Sequence, residues 1–510
     1  MGHADYFSRN ASSAAQLLRN YSDAGLKETL EAHCIGVAFD AVAATSCEGL
    51  AALDLLVRLL ARLYPDMVVL PLDAIATPVA AEFEQLALQI NPNLTLTRDK
   101  ARMTICVIVG TTPLRSAKAT QKIYMGSDGW LVKLSQRKPC GSRNSKNPFG
   151  AGVAACLASA NVFRAVFKDQ LSQPKLDGDL TLSAWDLNAR TRLPNPPLRT
   201  TDVGDVHVAG LGAIGNGFVW AIRHAPVNGR FHLIDADSVD IGNLQRYSMT
   251  VRADETKDKA VLAAGHLEAA GRTTHAYSMT WEQFLATRPD WRFQRVVVAV
   301  DTTNDRIDIQ ASLPKWLVNG WTREGIAALS RHSSFADAHA CLACLYIPRG
   351  SAPNEDQRVL TELHLDLSQL MEVRRRLDTG EGLAVDFLQL IANANGIPLE
   401  KLMPFEGKPL RSLYVRGFCS GTLLEFAAEE RQAQAEVPMP FQSALSGILL
   451  AGELALSKST ARANQPNVVQ IDLLRPFPQI PAQRELRKGD GRCICDDPDY
   501  QDVYRTKYFR

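Results

Sequence analysis

Between Val206 and Lys259 the chain gathers residue types able to hold and activate a chain of phosphates. Gly210, Gly212 and Gly215 fall in VHVAGLGAIGNG, where an apolar run ends. This spacing allows a tight turn, a close backbone approach to phosphate, and close packing of a helix on a strand. Amides at the start of that helix then face the anion. Asp235 closes the next apolar run, RFHLID, roughly twenty residues on, where a carboxylate accepts from ribose hydroxyls. So far a dinucleotide-dependent oxidoreductase fits equally well. Arg246 and Lys259 add cationic donors near the same edge, which suits a triphosphate better than two phosphates. Asn243 can orient a phosphate or an attacking carboxylate, and Asp301, directly after RVVVAV, can hold Mg²⁺ against phosphate oxygens. Singly, each has a plainer role as a solvated charge or, for Asp301, a helix cap. Together they describe a nucleoside triphosphate and a metal.

Sulfur offers a second chemistry. Cys341 and Cys344 form CxxC, Cys493 and Cys495 form CxC, and Cys419 stands alone in LYVRGFCSGTLLEF. Ten cysteines along a chain with no basic-apolar leader in MGHADYFSRN argue for buried thiols, a metal site or a catalytic thiol rather than disulfides. Cys34, Cys47, Cys106, Cys140 and Cys156 are expected in the core of the first domain.

The elements that must position these residues follow from patterning. A chain of 510 residues exceeds one core, so two to four compact units are expected. Lys and Arg number 56 against 55 Asp and Glu, which points away from a general nucleic-acid or membrane surface. No uninterrupted apolar run reaches the ~18 residues of a membrane span, and a soluble, cytoplasmic protein is expected. Residues 1–195 read as an α/β domain with an N-terminal helix, a degenerate copy of the next because it has no intact glycine fingerprint. The Pro-rich TRLPNPPLRTTD is a linker. VHVAG, RFHLID, THAYS, RVVVAV and KWLVNGW are strands of a mostly parallel sheet, completed by an apolar helix in PMPFQSALSGILLAGELALS and a strand in NVVQIDLL. This second domain spans 203–345 and 437–510. Residues 346–436 turn helical and charged, as an insertion. The tail, GDGRCICDDPDYQDVYRTKYF, shows little sign of a helix.

LIDADSVDIGNLQRY, then TKDKA and VVAVDTTNDR, resemble the adenylation domain of the E1/MoeB/ThiF superfamily. The family's closing Asp, its NLxRQ Asn and Arg, its GxxKA Lys, and its Asp with an Arg five residues on fall on Asp235, Asn243, Arg246, Lys259, Asp301 and Arg306. Tyr247 replaces the family's Gln, and Thr302 to Asn304 replace the usual turn. The resemblance implies two Rossmann-like (ThiF-type) domains, the first inactive, with a helical insertion and a zinc knuckle in the second. It implies attack of a ubiquitin-like C-terminus on the α-phosphate of ATP, with Mg²⁺ on Asp301, Arg246 and Lys259 stabilising phosphate charge and Asp235 holding the ribose. In MoeB-like enzymes two distant CxxC pairs hold structural Zn²⁺, here Cys341, Cys344, Cys493 and Cys495, with His339 as a substitute ligand and the second spacing departing from the pattern. Cys419 lies where E1 enzymes place the thioester cysteine, near Arg416. YFSRN resembles the segment that gives the family an arginine finger, here Arg9, with Arg143 a second candidate. The partners implied are a separate ubiquitin-like protein and E2-like enzyme, as in bacterial conjugation operons, some acting in antiviral defence. A monomer of this chain is complete on that reading. The alternatives are adenylation of a sulfur carrier, an NAD-dependent oxidoreductase and a non-catalytic scaffold.

Overall fold

The computed structural model describes residues 2–114, 121–189, 195–347, 355–414, 437–459, 465–477 and 482–509. They form two compact units, one made of 1–346 with 436–510 and the other of 347–435.

The larger unit contains two eight-stranded sheets of one design. In the first, β1 (Cys34–Phe39), β2 (Asp66–Pro71), β3 (Thr95–Leu96), β4 (Met103–Val109), β5 (Gln121–Asp128), β6 (Leu131–Ser135), β7 (Leu180–Ser183) and β8 (Asn188–Ala189) lie in the order 3-2-1-4-5-6-7-8. In the second, β9 (Thr201–Ala209), β10 (Val227–Ile234), β11 (Thr273–Tyr277), β12 (Val296–Val298), β13 (Leu317–Arg323), β14 (Ile326–His332), β15 (Val468–Asp472) and β16 (Ala482–Gln483) lie in the order 11-10-9-12-13-14-15-16. The first five strands across each sheet pair in parallel and the last three join antiparallel. The two sheets thus match strand for strand in order and direction. The expected strands VHVAG, RFHLID, THAYS, RVVVAV, KWLVNGW and NVVQIDLL appear as β9 to β13 and β15.

One continuous apolar core joins both sheets. Its middle is the helix Pro440–Ala455, buried along its whole length. Small residues let it approach the helix Ala213–His224 closely: a Cβ on Gly447 would lie 2.1 Å from the Ile214 carbonyl, and one on Gly217 2.6 Å from that of Ala444. Gly152 in the helix Phe149–Val166 likewise leaves room for the Trp220 indole. Phe149–Val166 is, among the described residues, a helix long and apolar enough to cross a membrane, and 94% of that stretch is buried. Inside the fold it is a core helix.

The tail differs from expectation. Pro498–Phe509 is a helix, with Pro498 at its first position and Asp499 in the first turn, both favourable at a helix start. It is docked rather than self-sufficient: Tyr504 Oη donates to the Lys315 carbonyl (3.0 Å), Tyr508 Oη to that of Leu313 (2.9 Å) and Lys507 Nζ to that of Ser312 (2.8 Å). Such tertiary contacts are invisible to local patterning.

The smaller unit is helical in its described part. Glu355–Glu362, Leu370–Thr379 and Val385–Asn395 enclose a separate core that includes Val359, Leu363, Val373, Leu388 and Ile391. Gly380 and Gly396 end the last two helices in left-handed conformation.

Candidate functional site

β9 ends at Ala209, and the chain turns through Gly210 into the helix Ala213–His224. Gly210 has φ +90°, and a Cβ there would lie 2.7 Å from the Ala299 carbonyl carbon. Gly215 lets the helix close on the turn, since its Cβ would meet the Gly210 carbonyl oxygen at 2.5 Å. Gly212 caps the helix with no side-chain acceptor on its first amides. Its missing Cβ leaves the approach beside Tyr247 Oη open, 3.3 Å away. These amides form the positive end of a twelve-residue helix.

Asp235, at the end of β10, accepts from the Leu211 amide (2.6 Å) and the Asp237 amide (3.0 Å). Burial raises its pKa, against the pull of Lys259. Lys259 is buried, its Nζ 2.7 Å from the exposed Asp237 carboxylate and 5.5 Å from the Tyr247 ring centre. Burial disfavours its charge, but Tyr247, Asp237 and Asp235 together raise its pKa. Arg246 also lies over this tyrosine ring, 5.7 Å from its centre. Its Nη1 is buried without a hydrogen-bond partner among the described residues. Burial lowers its pKa, with Arg9 acting in the same direction and Tyr247 and Asp301 opposing.

Asp301 is exposed just past β12. Arg306 holds the backbone there, donating to the carbonyls of Val300 (2.6 Å) and Asp301 (3.3 Å) and to Asn319 Oδ1 (3.2 Å). Asn243 is engaged locally: its Oδ1 accepts from the Asp240 amide (3.0 Å) in a capping box that shapes the 241–245 turn. Arg9 comes from the first helix of the chain, Phe7–Leu17, to this turn: a Cβ on Gly242 would lie 3.0 Å from Arg9 Nε. Ala4 and Tyr6 anchor that approach in a small core with Val239 and Leu244. Arg143, the other candidate, is ion-paired with Asp128 of β5 (3.4 Å).

The four cysteines converge. Sγ of Cys341, Cys344, Cys493 and Cys495 all lie within 4.8 Å of one another, and all four residues are buried. Resolved pairs stand at 3.3 to 3.8 Å, close to the ~3.8 Å edge of a tetrahedron with Zn–S of about 2.3 Å and far beyond a disulfide's ~2.05 Å. The donor set therefore fits zinc. His339 is turned to Asp337 (3.4 Å), so the fourth ligand in this geometry is a thiol. Cys419 and Arg416 lie outside the described residues.

Over all 510 of its residues the chain is 40% identical to the uncharacterized protein y4jF of Sinorhizobium fredii (strain NBRC 101917 / NGR234), covering 98% of that protein. The chain belongs to the y4jF family. Residues 38–168 also match the family model Prokaryotic E2 family C. Two structures of E. coli MccB align at low similarity. One, with ATP, gives TM-score 0.34 and 13% identity over 57% of this chain and 67% of that one; the other, with MccA-N7isoASN, gives 0.33 and 14% over 57% and 66%.

In this y4jF-family chain, the corresponding place in the first sheet is closed. Where β9 is followed by Gly210, β1 is followed by Asp40. Its carboxylate accepts from the amides of Ala43, Thr111 and Thr112 and from both threonine hydroxyls, at 2.7 to 3.1 Å. Burial opposes ionisation, but these donors hold its pKa below the usual carboxylate range. A fixed internal anion thus uses amides that would otherwise face a phosphate. Nearby, buried Glu48 accepts from Ser127 Oγ, Ser145 Oγ and the Gly129 amide. Sequence reasoning missed both carboxylates. It also missed Asp237, and Asn216, which ties the Leu211 and Gly212 carbonyls to the Met249 amide. A signal for Asp40 was available in the acidic residue standing at the glycine position.

Proposed function

We propose that this chain is an E1-like enzyme that adenylates the C-terminus of a ubiquitin-like protein with ATP. One observation carries the reading: Arg246, Lys259 and Arg9 gather near the uncapped helix start at Gly212, and Arg246 Nη1 is buried there with no partner among the described residues. A buried donor of this kind is costly unless an anion completes it.

On this reading the amides after Gly212 and the guanidinium of Arg246 receive the phosphates, and Asp235 accepts from the ribose. Lys259 leaves Asp237 for the phosphate chain. A carboxylate oxygen of the carrier attacks the α-phosphorus, and the bond to the β-phosphate oxygen breaks, giving an acyl-adenylate and pyrophosphate. Arg246, Lys259 and Arg9 offset the growing negative charge, so catalysis is electrostatic and positional. Asp301 would hold Mg²⁺, which when bound neutralises phosphate charge. The sealed Asp40 site makes the first sheet structural, and its contribution in cis is Arg9. In a second step, Cys419 thiolate attacks the acyl carbon and AMP leaves, giving a thioester for transfer to an E2-like enzyme.

The test is ATP–pyrophosphate exchange with candidate carriers encoded beside this gene. Exchange that needs a carrier and falls at least a hundredfold in Asp301→Ala supports the reading. Tight NADH binding without exchange overturns it. A carrier thioester lost in Cys419→Ala separates conjugation from sulfur-carrier adenylation.

A further inference from the structure

The loop carrying Arg246 is gripped from the first half of the chain. Arg62 stands just past the helix Cys47–Leu60, wholly buried. Its Nη1 donates to the Leu244 carbonyl (2.6 Å), and its Nη2 donates to those of Ser248 (3.1 Å) and Thr250 (2.6 Å). Arg58, one turn earlier, donates to the Ser248 and Met249 carbonyls (3.3 and 3.4 Å). Asp54 fixes Arg58 at 2.9 Å and also accepts from Trp220 Nε1 at 2.8 Å, in the helix that begins at the glycine turn. Asn10, one residue from Arg9, donates to the Arg62 carbonyl (2.9 Å).

A guanidinium buried against carbonyls is an expensive way to fill space, since an apolar side chain of similar volume avoids the desolvation. What the planar fork supplies is geometry: it fixes three carbonyls of residues 244 to 250 at once, on both sides of Arg246. We propose that Arg62, backed by Arg58, is a positioning residue through which the first half sets the Arg246 guanidinium for the triphosphate. This rests on the adenylation reading and extends it, because it gives the closed first sheet a part in the second sheet's site besides Arg9. The arrangement also links the two arginines: Asn10 ties the Arg9 helix to the backbone of Arg62, whose side chain holds the loop of Arg246.

The test uses the full chain with Arg62→Lys, whose single ammonium cannot span the three carbonyls. Amide hydrogen exchange over 244–250, the melting temperature and the KM for ATP in pyrophosphate exchange are measured together. A purely structural loss lowers the amount of active enzyme and leaves KM alone. The proposal expects faster exchange across 244–250 and a KM for ATP raised about tenfold in the folded fraction, as for loss of one or two charge-assisted hydrogen bonds. It also expects Arg62→Lys to add nothing to the KM defect of Arg246→Ala. A folded Arg62→Lys with wild-type loop protection and wild-type KM overturns it. If that variant fails to fold, Arg58→Lys decides, with a smaller change in the same direction expected and no change overturning the proposal. Wild-type enzyme that neither binds ATP nor exchanges pyrophosphate refutes the adenylation reading, whereas unchanged loop protection in a folded Arg62→Lys refutes the clamp.

Discussion

Removing metal from the cysteine cluster should release the C-terminal tail. Cys344 and Cys493 are 149 residues apart in sequence, so a metal joining them closes a long loop. Treated as a cross-link, that closure is worth about 5 kcal/mol of chain entropy. Tyr504, Lys507 and Tyr508 also hold the tail, through carbonyls of Lys315, Ser312 and Leu313. While they stay docked, the metal closes only about ten residues, worth about 3 kcal/mol. The expected cost of Cys493→Ser, or of chelation, is therefore about 3 kcal/mol locally, rising to about 5 if the helix Pro498–Phe509 detaches. The assay is zinc per chain by elemental analysis, with hydrogen exchange over 493–509 before and after chelation. One zinc per chain and loss of tail protection on its removal are expected. Protein purified without zinc whose tail is as protected as after zinc addition would refute the reasoning.

Three further outcomes follow from the geometry. Gly212→Ala, at φ −67° and with a Cβ 3.3 Å from Tyr247 Oη, should fold normally while weakening ATP binding about tenfold, whereas Gly210→Ala, at φ +90° against the Ala299 carbonyl, should cost on the order of 2–4 kcal/mol of stability; calorimetry and denaturant melts separate the two, and equal effects would contradict the assignment. Asp40→Asn puts an amide donor among five donors and should cost about 2–3 kcal/mol without moving the KM for ATP; a changed KM would show that the first sheet is not sealed. Burial lowers the pKa of His207 to about 3 and of His266 to about 4, from 6.5. The unfolded chain then binds protons that the folded one refuses, so this stability is complete above pH 6.5 and falls as pH drops toward 4. Each group loses up to about 1.4 kcal/mol per pH unit. His207 stacks on His232 with ring centres 4.4 Å apart; His207→Phe should flatten the acid limb of melting temperature against pH, and an unchanged slope would refute the assignment.

The second sheet was legible because its strands are short apolar runs ended by Gly or Asp, a pattern set by local burial. The duplication was legible as well: residues 1–195 read as a degenerate copy of the next domain, and the two sheets share one strand order, although Asp40 stands in the first where Gly210 follows β9 in the second. The residues named for the nucleotide site, Gly212, Asp235, Arg246 and Lys259, lie around Tyr247 and the Leu211 amide. Asn243 instead shows a capping contact, which sequence alone does not separate from a ligand contact. Arg58 and Arg62 were hidden in and just after an apolar helix, where a charge reads as an interruption. Their partners are carbonyls at least 182 residues away in sequence, and no local pattern records such a bond. The tail helix was missed for the same reason.

The most direct measurement is an equilibrium titration of the full chain with ATP and Mg²⁺, read as stoichiometry and repeated on Arg246→Ala. The account predicts one ATP per chain in the wild type, because Asp40 closes the first sheet, and binding weakened at least tenfold in the variant. No binding, two ATP per chain, or affinity unchanged by Arg246→Ala would contradict it.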